Sequence, residues 1–424
     1  MTEEFLHYIW KLKLFNSMNL QTTSGETLEV VHSGTHNTDS GPDFFNARLK
    51  LNSIVWAGNI EVHLKSSDWA KHHHQFDKAY DNIILHVVFH ADILLYRSSG
   101  ELIPTLELKD KIAQRHYDQY LQFKESNDWI PCEKQISKVS SLVVNATIDR
   151  LVLERLERKT LSIVNDLKLN NNNWEEAFYQ YLARNFGFKV NAVPFEMLAK
   201  SLPHTILAKH KNSIPQIEAL LFGQAGLLDK YVEDEYLRTL QNEYVFLKHK
   251  FKLTPIDSHL WKFLRLRPVN FPTIRLAQFA NLIYNAVSMF SKIIESDNIE
   301  SLKKLMDADV SEYWKEHYVF DKKSKYKTKH LGEESMNNII INTIVPFLFV
   351  YGKHKSDEKY IERALRFLEQ ISGEKNSIIT KWEAIKMPVS TAYSTQALLQ
   401  LKTAYCDNKK CLTCTIGVEL MKNY

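Results

Sequence analysis

Apolar and polar positions change period along this chain. Near the start, Phe5, Ile9, Trp10, Leu12 and Phe15 recur at helical spacing on one broad face, which predicts an amphipathic helix over residues 3–17. A turn at Ser24-Gly25 follows, and the period falls to two. Residues 28–32, 44–51 and 54–64 read as strands, and the polar link Asn52-Ser53 predicts that the last two form a hairpin. Residues 67–80 are polar and predict a short helix or ordered loop, with Trp69 and Phe76 inserted into the core and Tyr80 as a further anchor. Residues 83–89 are almost continuously apolar, as expected of a central strand covered on both faces. Residues 94–97 and 102–108 flank the turn Ser98-Ser99-Gly100 as a last hairpin.

From about residue 110 the spacing becomes helical and stays so to 405, the longest stretches being 142–168, 231–248, 273–295 and 376–405. A polar break falls at 170–173, and the basic run 322–329 reads as a solvated loop. The fold class that follows is α+β: a small mixed α/β domain over residues 1–110, then a large all-α domain over 111–424.

Composition adds limits. At 424 residues, 44% hydrophobic and 25% charged, the chain has the profile of a globular protein with two or three domains. A net charge of +4 permits a polyanionic partner without requiring one. The first residues lack the basic and apolar regions of a signal peptide. The most apolar stretch, 339–351, holds Asn342 and Pro346 and is too short for a membrane span. A cytoplasmic protein with no membrane partner and with reduced thiols is therefore expected. Oligomeric state is not legible.

Chemistry concentrates early. Gly41-Pro42-Asp43-Phe44 opens one predicted strand, and Gly58-Asn59-Ile60-Glu61-Val62-His63-Leu64-Lys65 forms the next. Strand alternation puts Glu61, His63 and Lys65 on one face and Val62 and Leu64 on the other, toward the core. A hairpin partner starting at Asp43 brings a second carboxylate to the polar face. Two carboxylates beside a base or cation are what magnesium- or manganese-dependent phosphodiester hydrolysis needs. The competing reading is the solvent face of a half-buried strand.

These residues and the strand order resemble the PD-(D/E)XK nuclease superfamily over residues 1–110. The resemblance implies an αβββαβ core, metal ligation by Asp43 and Glu61, and an extra acid from the first helix at Glu4 or Glu3. His63 stands where the family has lysine, and Lys65 lies two residues further on the same face. Either would have to take over the lysine's role.

Nine of the 17 histidines lie in the first 92 residues. The run Ser66-Ser67-Asp68-Trp69-Ala70-Lys71-His72-His73-His74-Gln75-Phe76-Asp77 directly follows the Glu61 strand. His72, His74, Asp68 and Asp77 are accessory candidates for metal ligation, phosphate contact or acid catalysis. His86, inside an apolar strand, reads as a hydrogen-bonded core residue.

The segments Gly41-Pro42-Asp43-Phe44, Trp56, Gly58 to His63, Ser66 to Trp69 and Asp81 to Val88 also resemble a bacterial family known only as a domain of unknown function, common in Bacteroidota. The likeness runs through Phe186-Gly187-Phe188-Lys189-Val190-Asn191 to a cysteine tail, and it implies no activity.

In that tail Cys406, Cys411 and Cys414 are separated by four and two residues, while Cys132 stands alone after the first domain. Together they predict a four-thiolate site for zinc or an iron–sulfur cluster, its charge offset by Lys409 and Lys410. Its role would be structural, tying the chain end to the domain junction. Some PD-(D/E)XK nucleases resemble this split of one early and three late cysteines around an iron–sulfur cluster, although here a helical domain intervenes.

Arg265, Arg267 and Arg275 sit among Trp261 and Phe271, a combination that suits phosphate contacts and base stacking. Core aromatics with arginines pairing nearby acids are the alternative. No Walker loop, dinucleotide fingerprint or hydrolase elbow is present. The expected function is a metal-dependent nuclease acting on DNA or RNA, with Asp43 and Glu61 binding the ion and His63 or Lys65 positioning water. Competing expectations are a non-catalytic nucleic-acid-binding protein, another metal-dependent phosphoester hydrolase using the histidines, and a structural protein with the cysteine site alone.

Overall fold

A computed structural model describes residues 1–97, 99–229, 233–286 and 288–422. Ser98 of the expected turn, and Tyr231, Val232 and Val287 within two expected helices, lie outside the described residues. The chain forms two compact units: residues 1–147 with 401–424, and residues 148–400. The first unit therefore reaches past the expected boundary at 110 and takes in the cysteine tail.

The first unit is built on a mixed sheet. Its strands are β1 (Leu28–His32), β2 (Thr35–His36), β3 (Phe44–Leu51), β4 (Ile54–Lys65), β5 (Ile83–His90) and β6 (Thr105–Glu107). The order is β1-β3-β4-β5-β6, with β2 paired to β3. β3 and β4 form the expected antiparallel hairpin. β4 and β5 run parallel, as do β5 and β6. The expected final hairpin shrinks to one bridge between Tyr96 and Leu102, because Thr105–Glu107 pairs with the central strand instead.

Helix α1 (Glu3–Lys11) packs on β4 and buries Phe5, Leu6, Tyr8, Ile9 and Trp10. The Thr2 hydroxyl caps it by accepting from the Phe5 N–H at 3.3 Å. It ends earlier than the expected residue 17 because Lys13 turns left-handed at φ 52°. The short helix α2 (Asp68–Lys71) delivers Trp69 to a cluster with Ile83, Leu95 and Ile103, with Tyr80 packed against it. Phe76, expected in the core, is exposed. Left-handed His73 (φ 60°) reverses the chain before it, so the ring leaves on the solvent side. Helix α3 (Gln114–Glu125) receives the chain end, where the His116 imidazole bonds the Met421 carbonyl at 3.2 Å.

The second unit is helical. It includes α5 (Trp174–Phe186) and α6 (Phe188–Ser201), which follow α4 (Ser141–Leu169), and the helix Pro272–Asn285. A continuous helix, Glu333–Lys355, contains a π-helical turn at Ile340–Ile344. It is longer than the apolar stretch 339–351 suggested, and by length and composition it passes for a membrane span. However, 67% of its most apolar window is buried inside the fold.

Candidate metal centres

Asp43 and Glu61 meet on one face, as expected, but through a β-bulge: the register set at the hairpin link would oppose Asp43 to Val62, and the shift between Phe44 and Ala47, with Asn46 left-handed at φ 57°, brings it to Glu61. Glu61 Oε2 accepts the Asp43 N–H at 3.1 Å, and Asp43 Oδ2 accepts the Val62 N–H at 2.9 Å. The two carboxylates are thus fixed across the β3–β4 pair. Neither Glu61 nor His63 is on a solvent face, at 4% and 2% exposure. His7 of α1 and the segment carrying His72 and His74 cover that face, while the parallel partner β5 opposes Glu61 to His86 and His63 to Val88 within the sheet.

The environment splits the two acids. Burial raises the Glu61 carboxyl above its ordinary value, aided by the Asp43 charge and opposed by His74. Burial also pushes Asp43 upward, but its hydrogen bond and charge interaction with His7 prevail and hold it below the usual carboxylate range. His7 Nε2 lies 3.2 Å from Asp43 Oδ2. Burial opposes a charged His7, and the Asp43 bond overrides it to raise the imidazole pKa. His7 was not a sequence candidate. Its place on the α1 face that meets β3 and β4 is set by packing, which helical period alone does not identify.

Around Glu61 stand three imidazoles. The His63, His72 and His74 ligand nitrogens all lie within 4.8 Å of one another. His63 Nε2 is 3.0 Å from His72 Nδ1, while Glu61 Oε1 is 3.3 Å from His74 Nε2 and 3.7 Å from His63 Nε2. Two atoms each about 2.1 Å from one ion stand roughly 3.0–3.4 Å apart at octahedral or tetrahedral angles. The His63–His72 and Glu61–His74 pairs have ligand-like spacing, and the remaining pairs would close by a few tenths of an ångström or more around an ion. His74 Nε2 is buried and makes no well-aligned hydrogen bond, so its lone pair is available to the cluster. Left-handed His73 puts His72 and His74 on the same side, while its own ring is exposed.

His86 backs this set. Its Nε2 lies 2.8 Å from His63 Nδ1. With His63 Nε2 facing the cluster, Nδ1–H donates to His86, the outer hydrogen bond that orients a metal-ligating histidine. Burial, followed by repulsion from neighbouring histidines, lowers the His63 pKa to about 3. Burial also lowers His86 to about 3. Both rings are neutral at pH 7, the form in which imidazole ligates metal. The Tyr80 ring stacks on His74 at 3.8 Å and fixes its plane.

Other candidates are placed elsewhere. Lys65 is exposed, and among the described residues its side chain has no hydrogen bond or ion pair, so it takes no part in the cluster. Glu4 is exposed and acts on Cys411, so it does not join Asp43. Asp68 accepts the Lys65 N–H at 3.0 Å and the Lys71 ammonium at 2.6 Å, which makes it a loop brace. Exposed Asp77 accepts the Ala79 N–H at 2.9 Å.

The four thiols converge within the first unit. Cys132 follows α3, Cys406 ends the segment Leu401–Cys406, and Cys411 and Cys414 bracket a tight turn closed by the Cys414 N–H on the Cys411 carbonyl at 3.3 Å. All are free cysteines. Burial raises Cys132, Cys406 and Cys411, the last to about 12, and other thiols of the set raise each further. Gly417 lets the last helix approach this turn, because a Cβ there would stand 2.2 Å from the Cys411 carbonyl oxygen.

The arginine trio does not form one surface. Arg265 and Arg267 are exposed, while Arg275 is buried. Trp261 is also buried and donates its indole N–H to the Ala225 carbonyl at 2.8 Å, so it is a core residue and no stacking platform.

Residues 3–377 match a family model whose description is Protein of unknown function (DUF2851). No curated protein and no solved structure matches the chain.

Proposed function

For a chain that belongs to the DUF2851 family, we propose that the first unit is a metal-dependent hydrolase of nucleic-acid phosphodiesters, with an ion held by His63, His72, His74 and Glu61. The carrying observation is the convergence of three imidazole nitrogens, within 4.8 Å of one another, beside a buried carboxylate. This donor set suits zinc, manganese or ferrous iron better than magnesium, which prefers oxygen ligands.

Such an ion supplies charge neutralisation and a lowered pKa for a bound water. Glu61 and the three imidazoles would hold it, and His86 orients His63. Asp43 keeps His7 toward its protonated form, which suits proton delivery to the leaving oxygen. The likeness to PD-(D/E)XK nucleases supports the substrate class. It rests on Asp43 opening β3, Glu61 on antiparallel β4 and the parallel strand that follows. In this reading His63, at the place of the missing lysine, is an ion ligand and does not position the water; exposed Arg265 and Arg267 of the second unit are separate candidates for phosphate contact.

The converging thiols favour a second, structural site for zinc or an iron–sulfur cluster at Cys132, Cys406, Cys411 and Cys414. Absorbance and elemental analysis after anaerobic purification separate the two: a cluster gives visible absorbance with iron and sulfide, whereas zinc is colourless.

The functional test is cleavage of linear and circular DNA, single-stranded DNA and RNA with manganese, zinc or magnesium. A His72→Ala/His74→Ala double variant runs alongside. Cleavage by the wild type that drops at least about 100-fold in the variant supports the reading. Equal cleavage by both, or none with any ion, overturns it.

A further inference from the structure

The second unit contains a cavity of about 680 Å³, a volume suited to a small organic ligand. Two stretches singled out by the sequence meet there. Phe186 to Asn191 forms the junction of α5 and α6, and Arg275 projects from the helix Pro272–Asn285.

Arg275 is 7% exposed, yet its guanidinium has only neutral partners. Nη1 donates to Gln278 Oε1 at 3.0 Å, and Nη2 donates to Asn270 Oδ1 at 2.7 Å and Ser335 Oγ at 3.1 Å. Among the described residues Nε–H has no acceptor. Burial alone lowers its pKa, to about 10, with no carboxylate acting against it. A buried cation without a counter-charge is unfavourable by several kcal/mol unless an anion completes it.

The surroundings hold this charge in place. The Phe188 ring lies under the guanidinium, 4.5 Å from Cζ. Phe188 is left-handed at φ 49°, a conformation that bulky residues rarely adopt. It follows Gly187, where a Cβ would stand 2.2 Å from the Asn191 carbonyl oxygen. Asn337 and Ile341 line another wall at the π-helical turn, a feature frequent at functional sites. Asn337 Oδ1 is buried without a partner and can accept from a ligand N–H or O–H. Glu333, Glu334, Glu374 and Lys375 also line the cavity. Three carboxylates against two cations, Arg275 and Lys375, disfavour a polyphosphate.

We propose that this cavity binds a small molecule bearing one oxyanion group, phosphate or carboxylate, paired with Arg275. The rest of the ligand is a neutral or cationic body with a donor for Asn337. This site is separate from the proposed hydrolytic centre and does not depend on it.

Full-length protein would be titrated by calorimetry and thermal shift with inorganic phosphate, adenosine monophosphate, glutamine, benzoate and neutral adenosine. Phosphate and adenosine monophosphate report a phosphate head, whereas glutamine and benzoate report a carboxylate. Wild type is expected to bind at least one anionic probe and not adenosine. Arg275→Met should weaken that binding roughly 100-fold, and Arg275→Lys should restore part of it. The probe-free melting temperature of Arg275→Met should stay at or above that of the wild type, whereas an arginine kept only for structure would lower it. Asn337→Leu gives an independent reading if Arg275→Met fails to fold, and should weaken the same probe about tenfold. Failure of every anionic probe, equal binding of adenosine, or wild-type affinity in the folded variants overturns the proposal.

Discussion

Asp43 and Glu61 exchange hydrogen bonds across two antiparallel strands, each carboxylate accepting a main-chain N–H beside the other. This crossing fixes both acids without a cation between them. It also leaves Glu61 Oε1 free to face His74 and His63. Glu61→Gln retains an acceptor for the Asp43 N–H but loses the charge. The expected result is a fold that melts close to the wild type and a metal affinity lowered at least tenfold, read by calorimetric titration with manganese and zinc. Asp43→Ala removes the acceptor for Val62 and the partner of His7, and should destabilise by about 1.5–3 kcal/mol in denaturant melts.

His86 touches His63 and is not itself proposed as a ligand. His86→Phe keeps the ring volume and removes the hydrogen-bond partner of His63. Metal affinity should fall about 10- to 100-fold while the ligand set stays intact. A cobalt titration would show the same absorption band at higher cobalt concentration. Loss of the band would instead make His86 a ligand.

Cys132 is separated from the other thiols by more than half the chain yet lies in their electrostatic reach. Cys132→Ser should remove the metal of the thiol site and leave the histidine site loaded. Elemental analysis would then show one site lost. Limited proteolysis should expose the segment that begins at Leu401, because the proposed metal would hold the tail.

Glu218, in the second unit, gives a pH prediction. Burial lifts its carboxyl to about 7, against hydrogen bonds from Tyr236 at 2.7 Å and Ser311 at 2.8 Å. The folded protein then keeps a proton that the unfolded chain has released, between about pH 4.5 and 7. Stability from this group is present at the acid end of that window and is lost as pH rises through it. The loss is on the order of 3 kcal/mol. Glu218→Gln should match the wild type near pH 5 and be more stable near pH 8, in paired chemical melts at both values.

The β3–β4 hairpin was legible because alternation and a two-residue polar link fix its pairing. The bulge between Phe44 and Ala47 that turns Asp43 toward Glu61 was not legible, and neither was burial of that face. Glu61 and His63 look like surface residues until His7 of α1 and the His72–His74 segment pack over them. Phe76 shows the converse error: its ring suggested the core, but the left-handed backbone at His73 decided its direction. The arginine trio failed as one surface for a similar reason. Arg275 sits on a helix with neighbours on all sides, whereas Arg265 and Arg267 lie in an exposed loop.

By itself the sequence determined the α+β division, the β3–β4 hairpin, the histidine run beside it and the cysteine spacing. These are local properties, carried by side-chain period and by residues near one another along the chain. Tertiary structure alone decided that a bulge would bring Asp43 to Glu61, that His7 from α1 would meet Asp43, that His63 would lean on His86, and that Arg275 would be buried among neutral hydrogen-bond partners beside a cavity. Each of those relationships joins separate elements whose register and packing are fixed by the whole fold, so no local pattern could specify them.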